Sequence, residues 1–399
     1  MQPSSFFLAL LATSSSLCSL LERREDVASN TTDEINEFQP TDALAQLASQ
    51  GLDHIQELQV SGLKSRGRTC SLRDVVIRRN WDHLSPDDRT SYINAVLCLM
   101  NRPSLLNQEQ YPGAKSRYDD FVAVHINQTL SIHGTGNFLG WHRYFVFTYE
   151  QTLRNECGYK GYQPYWNWGT NAANPSKSPV FDGSATSLSG NGAFLLHNGS
   201  LAGTGNIFLP SEQGGGCVTS GPFKNMLVNL GPVSPAQDGV VKSSSNFAYN
   251  PRCLKRDLST KASSTWLKMS NILSLILKSP DILTFQNTMQ GDFPAGFLGV
   301  HAAGHFTMNG DPGGDLFASP GDPAFWLHHA MIDRTWWIWQ TLNLPGSLTD
   351  VAGTLTIFNT PPSANTTLLD LQNLGPLAGN IPLGDLLNTM SGPLCYIYL

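Results

Sequence analysis

Apolar residues recur at three- and four-residue spacing in several stretches of the chain, and these stretches lay out its helices. The run Ser91-Tyr-Ile-Asn-Ala-Val-Leu-Cys-Leu-Met100 is strongly apolar and ends near Pro103. Trp141 to about Cys157 repeats apolar positions at helical spacing and stops at Gly158, a residue suited to a C-terminal cap. A third helix is expected around His301 and His305. A fourth should run from about Pro323 to Leu342, opened by Asp322-Pro323 and carrying Trp336, Trp337 and Trp339. That aromatic stripe reads as core. Between these helices, residues 169–250 are dense in Gly, Ser, Asn and Pro, which predicts long loops walling a pocket rather than a second domain.

Histidines change this picture from a helical core to a site. Of the ten in the chain, seven fall into two clusters. His301 and His305 are four apart and share one helix face, so they can bite a single ion together. Asp322-Pro-Ala-Phe-Trp-Leu-His328-His329 follows, with Phe325 one turn before His329 and Asp333 one turn after it. Asp333 is expected to accept a hydrogen bond from an imidazole. Upstream lie His125, His133 and His142, where the glycine-bearing run from Gly134 to Gly140 bars one continuous helix. His125 is therefore expected to end a helix, His133 to sit in a loop and His142 to open the next helix. All-imidazole sites suit copper, zinc, iron or nickel, so ligand chemistry alone leaves the metal open. A zinc protease would need Glu after the first His, and Ala302 stands there. His54, His83 and His197 have no partner at metal-ligand spacing and read as structural.

The two segments resemble the paired copper signatures of the tyrosinase and catechol oxidase family, type-3 dicopper proteins that include molluscan haemocyanin. The likeness extends from about Cys70 to the end of the chain and is concentrated in 118–168 and 290–340. It implies a mainly α fold, a central four-helix bundle holding a dinuclear copper site with long surrounding loops. By the same resemblance His125, His133 and His142 match the ligands of one copper, and His301, His305 and His329 those of the second. His328 points about 100° away and is expected to pack beside the site. Phe325 should stack on an imidazole or on the substrate ring. Many relatives carry a Cys two residues before the second ligand, joined to it as a thioether. Here Ser131 occupies that place, so His133 is expected to be less restrained.

The resemblance also implies the chemistry: two copper ions, dioxygen as oxidant, and a phenolic small molecule or tyrosyl peptide oxidised to an ortho-quinone. A bulky pocket residue falls at Leu316. In relatives an Asn after the first helical ligand works with an upstream Glu or Gln to hold a water that deprotonates monophenols. Ala302 replaces that Asn, with Gln290 or Asp292 as upstream candidates, which favours catechol oxidation over monophenol hydroxylation. An oxygen carrier of the haemocyanin kind is the alternative, disfavoured because carriers string many copper domains together. The chain stops at Tyr396-Ile-Tyr398-Leu399, where a catalytic domain without a C-terminal lid would stop.

Charge and cysteine usage set the surroundings. A net charge of −6 without a basic stripe argues against nucleic acid as a partner, and no internal apolar segment is long enough to span a membrane. Residues 1–22 read as a secretory signal peptide, 23–65 as a propeptide or disordered segment after Arg23-Arg24, and 66–399 as the catalytic domain. Six cysteines remain beyond Cys18, an even number that suggests disulfides in a secreted chain, with pairing not deducible from spacing. Sequons at Asn30, Asn127, Asn198 and Asn365 are compatible with glycosylation in that pathway.

Overall fold

A computed structural model describes Thr31 and residues 33–60 and 70–399. In chain order its longer helices are α1 (Ala43–Val60), α2 (Pro86–Asn101), α3 (Arg117–Ile132) and α4 (Phe138–Cys157). They continue with α5 (Thr260–Trp266), α6 (Met269–Lys278), α7 (Ile282–Gln290), α8 (Gly299–Met308) and α9 (Ala324–Leu342). The mainly α expectation holds, and α3, α4, α8 and α9 form the central bundle. Strands are short and paired in twos.

Helix α9 is the axis of the fold, because every residue from Ala324 to Thr341 is buried. Even its polar members His328, His329, Asp333 and Arg334 are buried, so neighbours cover it on all sides. Helices α1, α4, α6 and α8 pack on it, and Phe121 of α3 meets Trp326 edge-on at 5.5 Å. Its start is set as the sequence implies: Asp322 Oδ1 accepts the Ala324 N–H at 2.8 Å, and the same carboxylate pairs with the buried Arg256 at 2.6 Å. Helix α3 opens with a capping box in which Ser116 and Asp119 satisfy each other's backbone N–H. Helix α4 ends at Gly158, whose φ of 69° the preceding turn requires.

Two expectations about element limits are corrected. Helix α3 runs on to Ile132, so His125 lies inside it, not at its end. Helix α4 begins at Phe138, so Gly140 is helical. Leu383 Cδ1 would lie 2.1 Å from a Cβ at Gly140, so only glycine lets that contact form.

Within 23–65, expected to be a propeptide or disordered segment, residues 43–60 form α1 and pack on the core. Leu44, Ala48, Leu52 and Ile55 of α1 form a buried stripe on α9. Gly51 lies against Thr341, with 2.1 Å from its would-be Cβ to Oγ1, and His54 Nδ1 bonds to the Thr341 carbonyl at 2.9 Å. Burying Leu44, Leu52 and Ile55 at about 1.5 kcal/mol or more each, with the Ala48 methyl beside them, outweighs the weak intrinsic preference of the segment. The expected signal peptide at 1–22 and Asn30 lie outside the described residues.

Residues 169–250 are long connections with small strand pairs, Gly192–Phe194 with Gly215–Val218 and Ser200–Ala202 with Ile207–Leu209. Disulfides join Cys70 to Cys395, Cys98 to Cys157 and Cys217 to Cys253, so the six expected half-cystines are all paired. The first ties the strand Val76–Arg78 to its parallel partner Tyr396–Tyr398 near the end of the chain. Among the described residues no helix is long and apolar enough to cross a membrane.

Candidate metal centre

Helices α3 and α4 bring one set of imidazoles together, and their hydrogen bonds fix which nitrogen faces inward. His125 Nδ1 bonds to the Phe317 carbonyl at 2.7 Å, His133 Nδ1 to the Thr129 carbonyl at 2.9 Å and His142 Nδ1 to the Phe138 carbonyl at 2.8 Å. A carbonyl oxygen only accepts, so each ring carries its proton on Nδ1 and presents a lone pair at Nε2. The Nε2 atoms of His125 and His142 are buried without a hydrogen-bond partner. Unpaired buried acceptors are costly, and an ion at their focus resolves the cost.

The second set comes from α8 and α9. His305 Nε2 lies 3.3 Å from His301 Nε2 and 3.1 Å from His329 Nε2. Nitrogens held about 2.0 Å from one ion at the tetrahedral angle are separated by roughly 3.3 Å, so this spacing fits a common ligand sphere. His328 behaves differently. Its Nε2 donates to the His301 carbonyl at 3.0 Å, and its ring fills the space over Gly304.

The two sets face each other. His142 stacks on His329 with centroids 4.6 Å apart, and His133 on His301 at 5.6 Å. In each set the candidate ligand atoms lie within 4.8 Å of one another, and all seven residues are buried. Burial, reinforced for most by neighbouring imidazoles, lowers every one of their pKa values; His133 falls to about 4 and His328 to about 3. All seven are therefore neutral at pH 7, the state in which imidazole binds a metal.

The other expected residues are placed as follows. Phe325 stacks on His329 at 4.1 Å and stands edge-on to His125 at 5.6 Å. Asp333 does not reach an imidazole, contrary to expectation. Its carboxylate takes Arg143 Nε at 2.6 Å, the hydroxyls of Tyr396 and Tyr398 at 2.6 Å each, and Arg78 Nη1 at 3.3 Å. Burial would push Asp333 up, but the two arginines and two hydroxyls outweigh it and hold its pKa below the usual carboxylate value. Arg78 is bonded in turn to Glu150 at 2.9 Å.

Ala302 is buried on α8 and Leu316 is 40% exposed. Gln290 Oε1 accepts the Gly134 N–H at 2.7 Å and its Nε2 donates to the Gln286 carbonyl at 3.3 Å, so its side chain serves the turn after His133. Asp292 is exposed and closes a local turn with Ala295. Ser131 is exposed too, and in place of a cross-link His133 is held by Thr129, by Gln290 through Gly134, and by Phe138 at 6.0 Å. Asn127, Asn198 and Asn365 are exposed, and His197 bonds to Asp257 at 2.9 Å.

Sequence reasoning missed Asp315. Its carboxylate accepts the N–H groups of Phe317 at 2.9 Å and Val233 at 2.7 Å, fixing the carbonyl that orients His125. An Asp followed two residues later by a backbone turn was the available signal.

Four helices that focus two facing sets of neutral imidazoles define a dinuclear metalloprotein of the all-histidine kind. The chain belongs to the tyrosinase family: residues 115–342 match the common central domain of tyrosinase. It is 42% identical over 333 residues to Tyrosinase P of Aspergillus terreus, covering 81% of this chain and 91% of that protein. An N-acetyl-6-hydroxytryptophan oxidase of Emericella nidulans is 39% identical over 348 residues, with 82% and 93% covered. A solved polyphenol oxidase from Thermothelomyces thermophila superposes with a TM-score of 0.84 at 42% identity, covering 89% of this chain and 97% of that one. The protein is a tyrosinase-like copper oxidoreductase, and two copper ions are its cofactor.

Proposed function

We propose that this chain is a secreted oxidase that uses dioxygen to convert o-diphenols, and more weakly monophenols, to o-quinones. The observation that carries this reading is the pair of facing imidazole sets, His125, His133 and His142 for one copper and His301, His305 and His329 for the other. Copper bound there supplies oxygen binding and electron transfer: two diphenols each lose two electrons and two protons while one dioxygen becomes two waters.

The chain's own residues do the rest. Phe325 on His329, and Phe138 edge-on to His301 at 4.7 Å, fix ring planes and keep the cluster dry. Leu316 stands on a turn pinned by Asp315, a firm apolar rim past which a phenol ring would enter. Ala302 leaves room beside His301 but offers no hydrogen bond. Gln290 bonds Gly134 and Gln286 through one lone pair and one N–H, and the methyl group of Ala302 cannot join it in holding a deprotonating water, which supports diphenol over monophenol chemistry.

The relative named for N-acetyl-6-hydroxytryptophan supports a phenolic metabolite as substrate, and a tyrosyl peptide fits the same site chemistry. Three disulfides and exposed sequons at Asn127, Asn198 and Asn365 support secretion and glycosylation. The packing of α1 on α9 supports a catalytic unit that begins upstream of Ala43, so that processing after Arg24 would leave α1 in place.

Metal analysis with oxygen uptake on catechol tests the reading. Two coppers with quinone formation are expected. Reversible oxygen binding without turnover would make the chain a carrier, and zinc with hydrolysis would overturn both.

A further inference from the structure

The loop from Val351 to Thr366 meets the metal cluster from outside and carries one residue in an unfavourable backbone conformation. The Thr354 carbonyl accepts the Gly136 N–H at 2.9 Å, and the Ala352 carbonyl accepts Gln286 Nε2 at 2.7 Å. At the tip, Phe358 has φ 50° and ψ 30°, and Asn359 follows with φ 54°. The other non-glycine residues with positive φ among those described are Ser189 and Asn309. Asparagine tolerates this region, whereas a bulky aromatic residue there is a true outlier. The Phe358 side chain is 62% exposed, so burial does not offset the strain.

What the conformation achieves is a position. Phe358 N–H donates to the Gly134 carbonyl at 3.0 Å. Its ring atoms Cε1 and Cδ1 lie 3.0 and 3.1 Å from where a Cβ on Gly134 would be. Gly134 directly follows His133 and donates its own N–H to Gln290. A wall thus runs from Gln290 through Gly134 to Phe358, with part of the ring packed on the glycine that follows His133 and the rest open to water. Ala302, Gln290 and His305 keep 7%, 8% and 8% of their surface, and Gln290 is the one bonded to the turn on which Phe358 packs.

Resting on the reading of the site as a diphenol oxidase, the geometry points to Phe358 as a specificity-determining residue. It is a preset aromatic platform beside the pocket entrance that receives the second ring or apolar substituent of a phenol whose reacting ring lies at the metals. The preferred substrates are therefore phenols bearing an aryl or extended apolar group, not catechol itself.

The test compares the copper-loaded wild type with Phe358→Ala, Phe358→Trp and Phe358→Gly, the last of which also relieves the backbone. Oxygen uptake is followed on catechol and on 4-phenylcatechol. Loss of one aromatic contact should raise KM for 4-phenylcatechol about threefold to tenfold in the Ala and Gly variants. Their kcat, copper content and catechol parameters should stay within about twofold of wild type, and Trp should preserve the preference. Equal changes on both substrates, or a fall in copper content, would show that the ring merely supports the His133 turn and would overturn the platform, as would an unchanged KM for 4-phenylcatechol. A wild type that oxidises neither catechol sinks the reading of the site itself and the platform with it, an outcome distinct from an active enzyme whose variants do not discriminate.

Discussion

A Cβ placed on Gly304 would lie 2.1 Å from Cε1 of His328, so the ring of one residue occupies the space that any side chain on the other would need. His328 cannot move aside, because its Nε2 is bonded to the His301 carbonyl and Trp168 lies 5.3 Å from its ring. Gly304→Ala should therefore cost about 1–3 kcal/mol of stability, as overpacking does, and loosen His301 and His305 with it. Copper per chain should drop from two towards one, read by metal analysis beside thermal unfolding. Adding His328→Ala makes room for the methyl group and should recover part of the loss in Tm. A variant that keeps full copper and Tm would refute the tight contact.

Asp333 holds the second prediction. Its carboxylate meets Arg143, which follows His142, and it sits one turn beyond His329, so one group braces both helices of the site. Asp333→Asn leaves Arg143 buried without its anion and weakens Arg78, a change expected to cost about 3–5 kcal/mol. The sign with pH follows from the lowered pKa. The unfolded carboxylate titrates near pH 4, so Asp333 stabilises the fold fully above that and loses its contribution as pH falls through the lower folded value. Chemical denaturation at pH 7 and pH 3 should show the gap between wild type and Asp333→Asn narrowing in acid. A constant gap would refute the charged pairing.

The histidines make a third. An imidazole whose pKa is held below about 6.5 stays neutral in the folded chain while the unfolded chain takes up a proton. The unfolded state therefore binds more protons below that pH, and stability falls as pH falls, for His133 over the window from about 6.5 down to about 4. Each such group contributes up to about 1.4 kcal/mol per pH unit. Copper-free protein should lose denaturant resistance steeply between pH 7 and pH 5. A flat profile there would mean the cluster is hydrated or already protonated.

How much of this was legible in the chain depends on how local each signal is. The helices carrying His142, His301 and His329 are written in short-range apolar periodicity and in the Asp322-Pro323 start, and the matching spacing of the imidazoles carried the metal reading. Periodicity also lay in Leu44, Ala48, Leu52 and Ile55, but the polar surroundings of α1 masked it, since only α9 shows what that stripe packs on. Asp333 illustrates the opposite limit. Its position one turn after His329 implied an imidazole partner, while the actual partners include Arg78, 255 residues away. The Cys70–Cys395 pairing, 325 residues apart, is equally invisible to spacing. Phe358 gave no signal, because its meaning lies in a backbone angle and in contact with Gly134.

Ala302 tests the balance between the two reactions of the family. It follows His301 on α8, is 7% exposed, and offers a methyl group where a hydrogen-bonding side chain could fix a water next to an incoming phenol. On the proposed reading, a monophenol arriving at the site meets a methyl group where an amide could hold a deprotonating water, whereas a catechol loses its protons more readily. Ala302→Asn supplies a carboxamide at that point. Positioned proton transfer is worth about 10²–10⁴-fold in favourable cases, and a single added group in an unadapted pocket should realise on the order of tenfold. The measurement is the ratio of monophenol hydroxylation to diphenol oxidation, taken on 4-tert-butylphenol and 4-tert-butylcatechol at equal copper content. A raised ratio with little change in catechol turnover is expected. An unchanged ratio would mean that proton removal does not limit monophenol hydroxylation here.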